Sequence, residues 1–152
     1  MANIFVLDSG PLGLACDNPG KSEVEAFRQW LIQAEANSVV LVVPELADFE
    51  VWRELIRMKL NASLKRLDSL CLEHKYIPIN TKAMKLAARL WADVRARGLT
   101  TAARSALDGD VIVAAQAIGY SGLRDKLTVI TENVDHLSRF DIDARRWQSI
   151  TL

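Results

Sequence analysis

The chain has 152 residues, half of them apolar and a quarter charged, with 19 Lys+Arg against 19 Asp+Glu. That profile excludes disorder, and no run of about 18 apolar residues offers a membrane span, so residues 1–152 read as one globular domain able to bury about two-thirds of its unfolded surface. No signal peptide is expected, because the apolar run Ile4–Leu7 meets Asp8 at once, and two cysteines, Cys16 and Cys71, are too few for a disulfide scaffold, so a reducing cytoplasmic setting is expected.

Apolar runs alternate with helical patterns, which predicts an α/β fold on a parallel sheet. Ile4–Leu7 reads as a buried first strand. Gly10, Pro11, Gly13, Asn18, Pro19 and Gly20 read as a loop. A helix is predicted from Ser22, with Glu25 as its capping-box partner and Val24, Phe27, Leu31 and Ala34 on one face. Val39–Val43, stopped by Pro44, reads as a second buried strand. Leu46, Phe49, Trp52, Leu55 and Ile56 resume helical spacing, and another helix follows Ser63. Tyr76–Ile79 contains Pro78 and reads as an edge strand. A helix capped by Thr81 runs to Gly98. Leu99–Leu107 reads as a loop, Val111–Ile118 as a buried helix closed by Gly119, and Leu127–Thr131 as a strand. The last predicted strand lies around Ser149–Leu152.

The chemistry turns on acids in unusual places. Asp8 directly follows the first strand, at the strand end where parallel sheets bind ligands. As a turn-former it would need no function. Glu50 falls within two turns of the start of the second-strand helix, beside Leu46, Phe49 and Val51; pairing with Arg53 is its plain explanation. Glu45 is explained by the helix dipole. Asp108 and Asp110 bracket Gly109 at the expected start of the Val111–Ile118 helix, and a cap accounts for only one of them. Asn133 and Asp135 follow the strand ending at Thr131, where such residues also make ordinary turns. His136 reads as a surface residue. Carboxylates converging at one sheet edge repel one another unless a cation neutralises them, and oxygen ligands without Cys or His suit Mg²⁺ or Mn²⁺.

Four segments, FVLDSGPL, VVPELADFEVWREL, LDGDVIVAAQA and VITENVDHLSRF, together resemble the PIN-domain ribonucleases, in particular the VapC-like toxins of toxin–antitoxin pairs. The resemblance spans nearly the whole chain. It implies a three-layer α/β/α sandwich around a central, mostly parallel sheet, and Mg²⁺- or Mn²⁺-dependent endonucleolytic cleavage of RNA. It aligns Asp8, Glu50 and Asp110 with the family's first three acids, with Asp108 as an assisting acid. The fourth acid of the family is here Asn133, which Asp135 could replace. Ser9 and Thr131 would supply hydroxyls behind the acids. It further implies a homodimer and an antitoxin whose C-terminal segment covers the site.

An RNA substrate requires local cations. The stretch Lys82–Arg104 holds six basic residues and one acid, and Arg53–Arg66 holds five and one. Lys82 and Lys85 read as a solvated face. Arg97 and Arg104 flank the loop leading to Asp108 and are the expected phosphate contacts. The four tryptophans read chiefly as core. The alternative is a PIN-fold binding module with weak catalysis, which Asn133 would permit. Aspartyl-phosphate chemistry fits less well, since Gly10 stands where a phosphatase needs a second Asp and Pro44-Glu45 follows the second strand.

Overall fold

Ile4–Leu7 is apolar at every position because both faces of its strand are covered, and that burial fixes it at the centre of the sheet. In the computed structural model, residues 2–98, 104–122 and 125–152 are described, apart from the side chains at 104 and 105. In chain order they form β1 (Asn3–Leu7), α1 (Ser9–Cys16), α2 (Ser22–Ala36), β2 (Val39–Pro44), α3 (Glu45–Arg57), α4 (Asn61–Glu73), β3 (Lys75–Ile77), α5 (Thr81–Ala96), α6 (Arg104–Tyr120), β4 (Lys126–Ile130), α7 (Val134–Leu137) and β5 (Asp143–Arg145). The sheet order is β3-β2-β1-β4-β5 and every pair is parallel. Two cores flank it. Phe5, Leu7, Leu41 and Val43 pack on α1 to α4, and Ile4, Val6, Val42 and Val129 pack on α5, α6 and α7. This is the expected three-layer α/β/α sandwich. Among the described residues, no helix is long and apolar enough to cross a membrane.

The strand order reverses at β1. The chain runs outward from it through β2 to β3, then returns to its other side with β4. A crevice therefore opens between the carboxyl ends of β1 and β4. Asp8 N–H donates to Ile130 O at 3.0 Å and holds the two ends level.

Several expectations are corrected. The predicted loop after Asp8 is helix α1: Asp8 caps it, Pro11 sits in the first turn where its missing N–H costs nothing, and Leu12, Ala15 and Cys16 are buried. Ser22 opens α2 without a side-chain cap. Asn80, not Thr81, caps α5, its Oδ1 accepting from Ala83 N at 2.8 Å. Gly98 ends that helix at φ +69°, as glycine allows. Helix α6 begins at Arg104 and runs past Gly119 to Tyr120, so the expected loop is helical from Arg104 onward, and its first part, residues 99–103, lies outside the described residues. The last strand is Asp143–Arg145, and Trp147–Ser149 forms a 3-10 turn instead. A three-residue edge strand with only Ala144 buried carries too little alternation to read.

Buried Gln116 joins the layers. Its Oε1 accepts from Leu46 N at 3.2 Å and its Nε2 donates to Ile77 O at 2.8 Å. Gln116→Leu leaves both backbone groups unsatisfied, so it should cost about 2–4 kcal/mol, read as a lower urea midpoint.

Candidate metal centre at the strand crossover

Asp8 sits at the end of β1 and caps α1, where the helix dipole favours a carboxylate. It is only 7 % exposed. Its Oδ2 accepts from Thr131 Oγ1 at 2.8 Å and its Oδ1 from Ser9 N at 2.9 Å. Thr131 Oγ1 in turn accepts from Asn133 N at 2.9 Å. The end of β4 thus grips Asp8 through one fully buried hydroxyl. Burial pushes the Asp8 carboxyl above its ordinary range, against the pull of these two donors. Thr131 supplies its hydroxyl as expected, whereas Ser9 uses its amide.

Glu50 arrives from α3, one and a half turns in, and Asp110 from α6. Burial raises the Glu50 carboxyl, and Asp8 and Asp110 raise it further, while Arg53 Nη2 at 3.7 Å lowers it. The Asp110 carboxyl is pushed up to about 6 by burial and by Asp8, with His136 and Arg139 opposing. Each of the three acids thus lies in the field of the other two. Gly109 makes room for them: a Cβ there would stand 3.3 Å from Glu50 Oε2.

Asp110 Oδ2 is buried without a hydrogen-bond partner. The nearest basic groups are His136 Nδ1 at 3.6 Å and Arg139 Nη2 at 3.9 Å, both beyond hydrogen-bond reach. An unpartnered carboxylate oxygen among repelling acids is the donor chemistry that a hard divalent cation satisfies. Among the described residues, no three His, Cys, Asp or Glu side chains stand close enough together to hold a metal ion by themselves. The donors fit a cation bound partly through water, as Mg²⁺ prefers.

The other candidates are spread around these three acids. Asp108 is inside α6, not at its start, and residues two apart on a helix diverge by roughly 200°. It is exposed and borders a groove with Met84 and Trp91 of α5, away from Glu50. Asp135, in the first turn of α7, is exposed and lines a cavity of about 550 Å³ with Asn133, His136, Arg145 and Arg146. Asn133 shares that cavity and caps α7 without a side-chain bond. Arg97 pairs with Asp93 at 2.7 Å at the end of α5. The Arg104 side chain lies outside the described residues. Sequence reasoning left His136 on the surface and passed over Arg139. Their i, i+3 spacing across α7 and its following turn is the signal that joins them, and Arg139 Nε donates to His136 O at 2.9 Å.

No family model matches the chain, and no curated protein matches it either. Solved structures do. A chain of VapBC2 from Rickettsia felis, bound to a DNA fragment from their promoter, superposes with a TM-score of 0.73 at 16% identity over 95% of this chain and 98% of that one. A chain of DNA-bound VapBC from Salmonella typhimurium gives 0.72 at 15% identity over 97% and 99%. One of FitAB bound to an IR36 DNA fragment gives 0.69 at 16% identity over 97% and 98%. The fold is PIN-like. At these identities the likeness is one of fold. In this PIN-like chain, the acids stand at the strand crossover that the topology reserves for ligands.

The raised Asp110 carboxyl has a sign. The unfolded group ionises near 3.8 and the folded one near 6, so the folded state holds the extra proton between them and stability falls as pH rises through that window. In metal-free protein, the parent should therefore gain stability over Asp110→Asn as pH drops from about 7 to about 4. Urea midpoints in EDTA at each pH measure this, and a gain in the opposite direction would contradict it.

Proposed function

We propose that this chain is a Mg²⁺- or Mn²⁺-dependent endoribonuclease and the toxin of a toxin–antitoxin pair. The observation that carries the reading is the unpartnered Asp110 Oδ2 within the mutual field of Asp8 and Glu50. Asp8, Glu50 and Asp110 would hold the cation. When bound, it would lower the pKa of a coordinated water and offset the charge growing on the phosphate. Thr131 and the Ser9 amide fix the orientation of the Asp8 carboxylate, leaving one lone pair free on each oxygen. Arg139 places positive charge beside Asp110, with the His136 ring next to it, where the anionic phosphate would arrive. Asn133, beside His136 in the cavity, would orient water as a neutral donor and acceptor. Asp108, exposed on the side facing α5, would add negative charge around the site rather than a ligand, and Asp135, exposed in the cavity it shares with Asn133 and His136, would be the acid available in place of Asn133. Arg97 would give a phosphate contact only after leaving Asp93, and Arg104 is its proposed companion contact.

The similarity to VapBC and FitAB complexes supports an antitoxin partner, and a homodimer in the cytoplasm completes the reading. A PIN-fold binding module with little catalysis is the second reading, favoured by Asn133 in place of an acid and by the lack, among the described residues, of three such side chains close enough to hold a metal ion by themselves.

Purified protein should cleave RNA with Mg²⁺ or Mn²⁺ and stop in EDTA. Asp8→Asn or Asp110→Asn should lower the rate about a hundredfold or more. Cleavage unaffected by EDTA would overturn the mechanism. Metal binding by calorimetry without cleavage of any RNA would favour the module. Mn²⁺ should also raise the melting temperature of the parent and leave that of Asp110→Asn nearly unchanged.

A further inference from the structure

Lys82, Lys85 and Arg89 occupy positions i, i+3 and i+7 of α5, so they share one exposed face. That face borders a groove of about 490 Å³ between the first half of α5 and the last turns of α6. Among the described residues, no acid lines the groove. Among the described residues, none of these three cations forms an ion pair. Lys21, Arg53, Arg57, Arg97, Arg145 and Arg146 each have a carboxylate within 4 Å. The chain therefore neutralises many of its cations locally and leaves this row uncompensated.

The rest of the groove suits an extended strand. One lining residue is buried Gln116, whose amide oxygen and nitrogen each hold a backbone partner, Leu46 and Ile77. Gly119 leaves the groove open, with nothing within 4 Å of where a Cβ would stand. Tyr120 offers a half-buried ring at one end. The three cations span seven residues, about 10 Å along the helix axis. Cations in a row beside one aromatic ring are the elements that hold a phosphodiester backbone and stack a base. Gln116 lies six residues beyond Asp110 on the same helix, about 9 Å along its axis and on a face turned by roughly 120°, so the groove and the acids flank different sides of α6.

We propose that this α5–α6 groove binds the phosphate backbone of single-stranded nucleic acid, with Lys82, Lys85 and Arg89 as its contacts and Tyr120 as a stacking ring. That the strand is RNA rests on the function proposed above; the binding itself needs no cleavage. The surface replaces Arg97 and Arg104 as the principal phosphate-binding element and makes α5 more than a solvated face.

The test uses the full chain in EDTA, so no nuclease activity enters the result. Fluorescence anisotropy follows single-stranded RNA, single-stranded DNA and duplex DNA of about 15 nucleotides, each across a salt series. The variant Lys82→Ala/Lys85→Ala/Arg89→Ala should bind both single strands about tenfold or more weakly, with a log–log salt slope shallower by about 2. Lys65→Ala/Lys75→Ala/Lys126→Ala removes equal charge elsewhere and should keep affinity within about twofold. Lys82→Arg/Lys85→Arg should retain binding, which separates loss of charge from loss of fold. Equal losses in both triple variants would overturn the proposal. So would unchanged binding, an effect on duplex DNA alone, or competition by poly-glutamate as strong as that by RNA. Absence of metal-dependent cleavage with the groove result intact would reject the nuclease reading and leave the binding surface standing.

Discussion

Three carboxylates that repel one another set the terms for the crossover edge of this fold. Asp8, Glu50 and Asp110 are drawn from the end of β1, α3 and α6; Asp8 raises the proton affinity of the other two, and Asp110 raises that of Glu50. Burial makes the repulsion stronger, because less water remains to screen it. The fold sustains the arrangement by spending its nearby donors on Asp8. Thr131 and the Ser9 amide hold that carboxylate, Asn133 holds Thr131, and the last turn of β4 is shaped around the link. Asp110 receives no such donor on its Oδ2. Neutralising charge must come from outside the hydrogen-bond network, from Arg139 in part and, in the proposed function, from a divalent cation.

The doubly wound topology explains why these acids meet at all. Strands β1 and β4 are neighbours in the sheet although more than a hundred residues separate them in sequence, and their connections leave in opposite directions. The vacancy between them is lined by whatever follows each strand, here Asp8 and Thr131. Helices α3 and α6 close over that vacancy from opposite layers, with Gly109 keeping α6 close enough that Glu50 and Asp110 share one field. Gln116, farther along α6, locks the same helix to the start of α3 and the end of β3. Packing of α6 therefore carries both the stability of the sandwich and the position of the third acid.

Zero net charge conceals two separated populations. Three of the 19 acids meet at the crossover, while several cations are paired with surface acids, as in Lys21–Asp17 and Arg57–Glu54. Such exposed pairs add little stability but cancel the field around them. Cations that stay unpaired keep their field, and Lys82, Lys85 and Arg89 are such a row. A count of charges in the sequence cannot separate these cases, because pairing depends on helical spacing and on which faces meet.

Local chemistry made much of the fold legible. Strand β1, strand β2 and the helix ending at Gly98 follow from unbroken apolar runs and one left-handed glycine, signals that need only neighbouring residues. Asp8, Glu50 and Asp110 were also visible, as acids beside apolar segments where solvated side chains are not expected. Tertiary packing decided the rest. Helix α1 forms through a run rich in Gly and Pro because Asp8 caps it and the core buries Leu12, Ala15 and Cys16. The early start of α6 turned Asp108 away from the other acids, since two residues of helix rotate a side chain to the opposite face. His136 and Arg139 reached Asp110 only through the contact of α7 with α6. Sequence by itself determined which residues could not be comfortable alone: apolar runs needing cover and acids lacking water. Which of them became neighbours was decided by the sheet order, because long-range pairing of β1 with β4 is a property of the whole chain's packing and leaves no local trace.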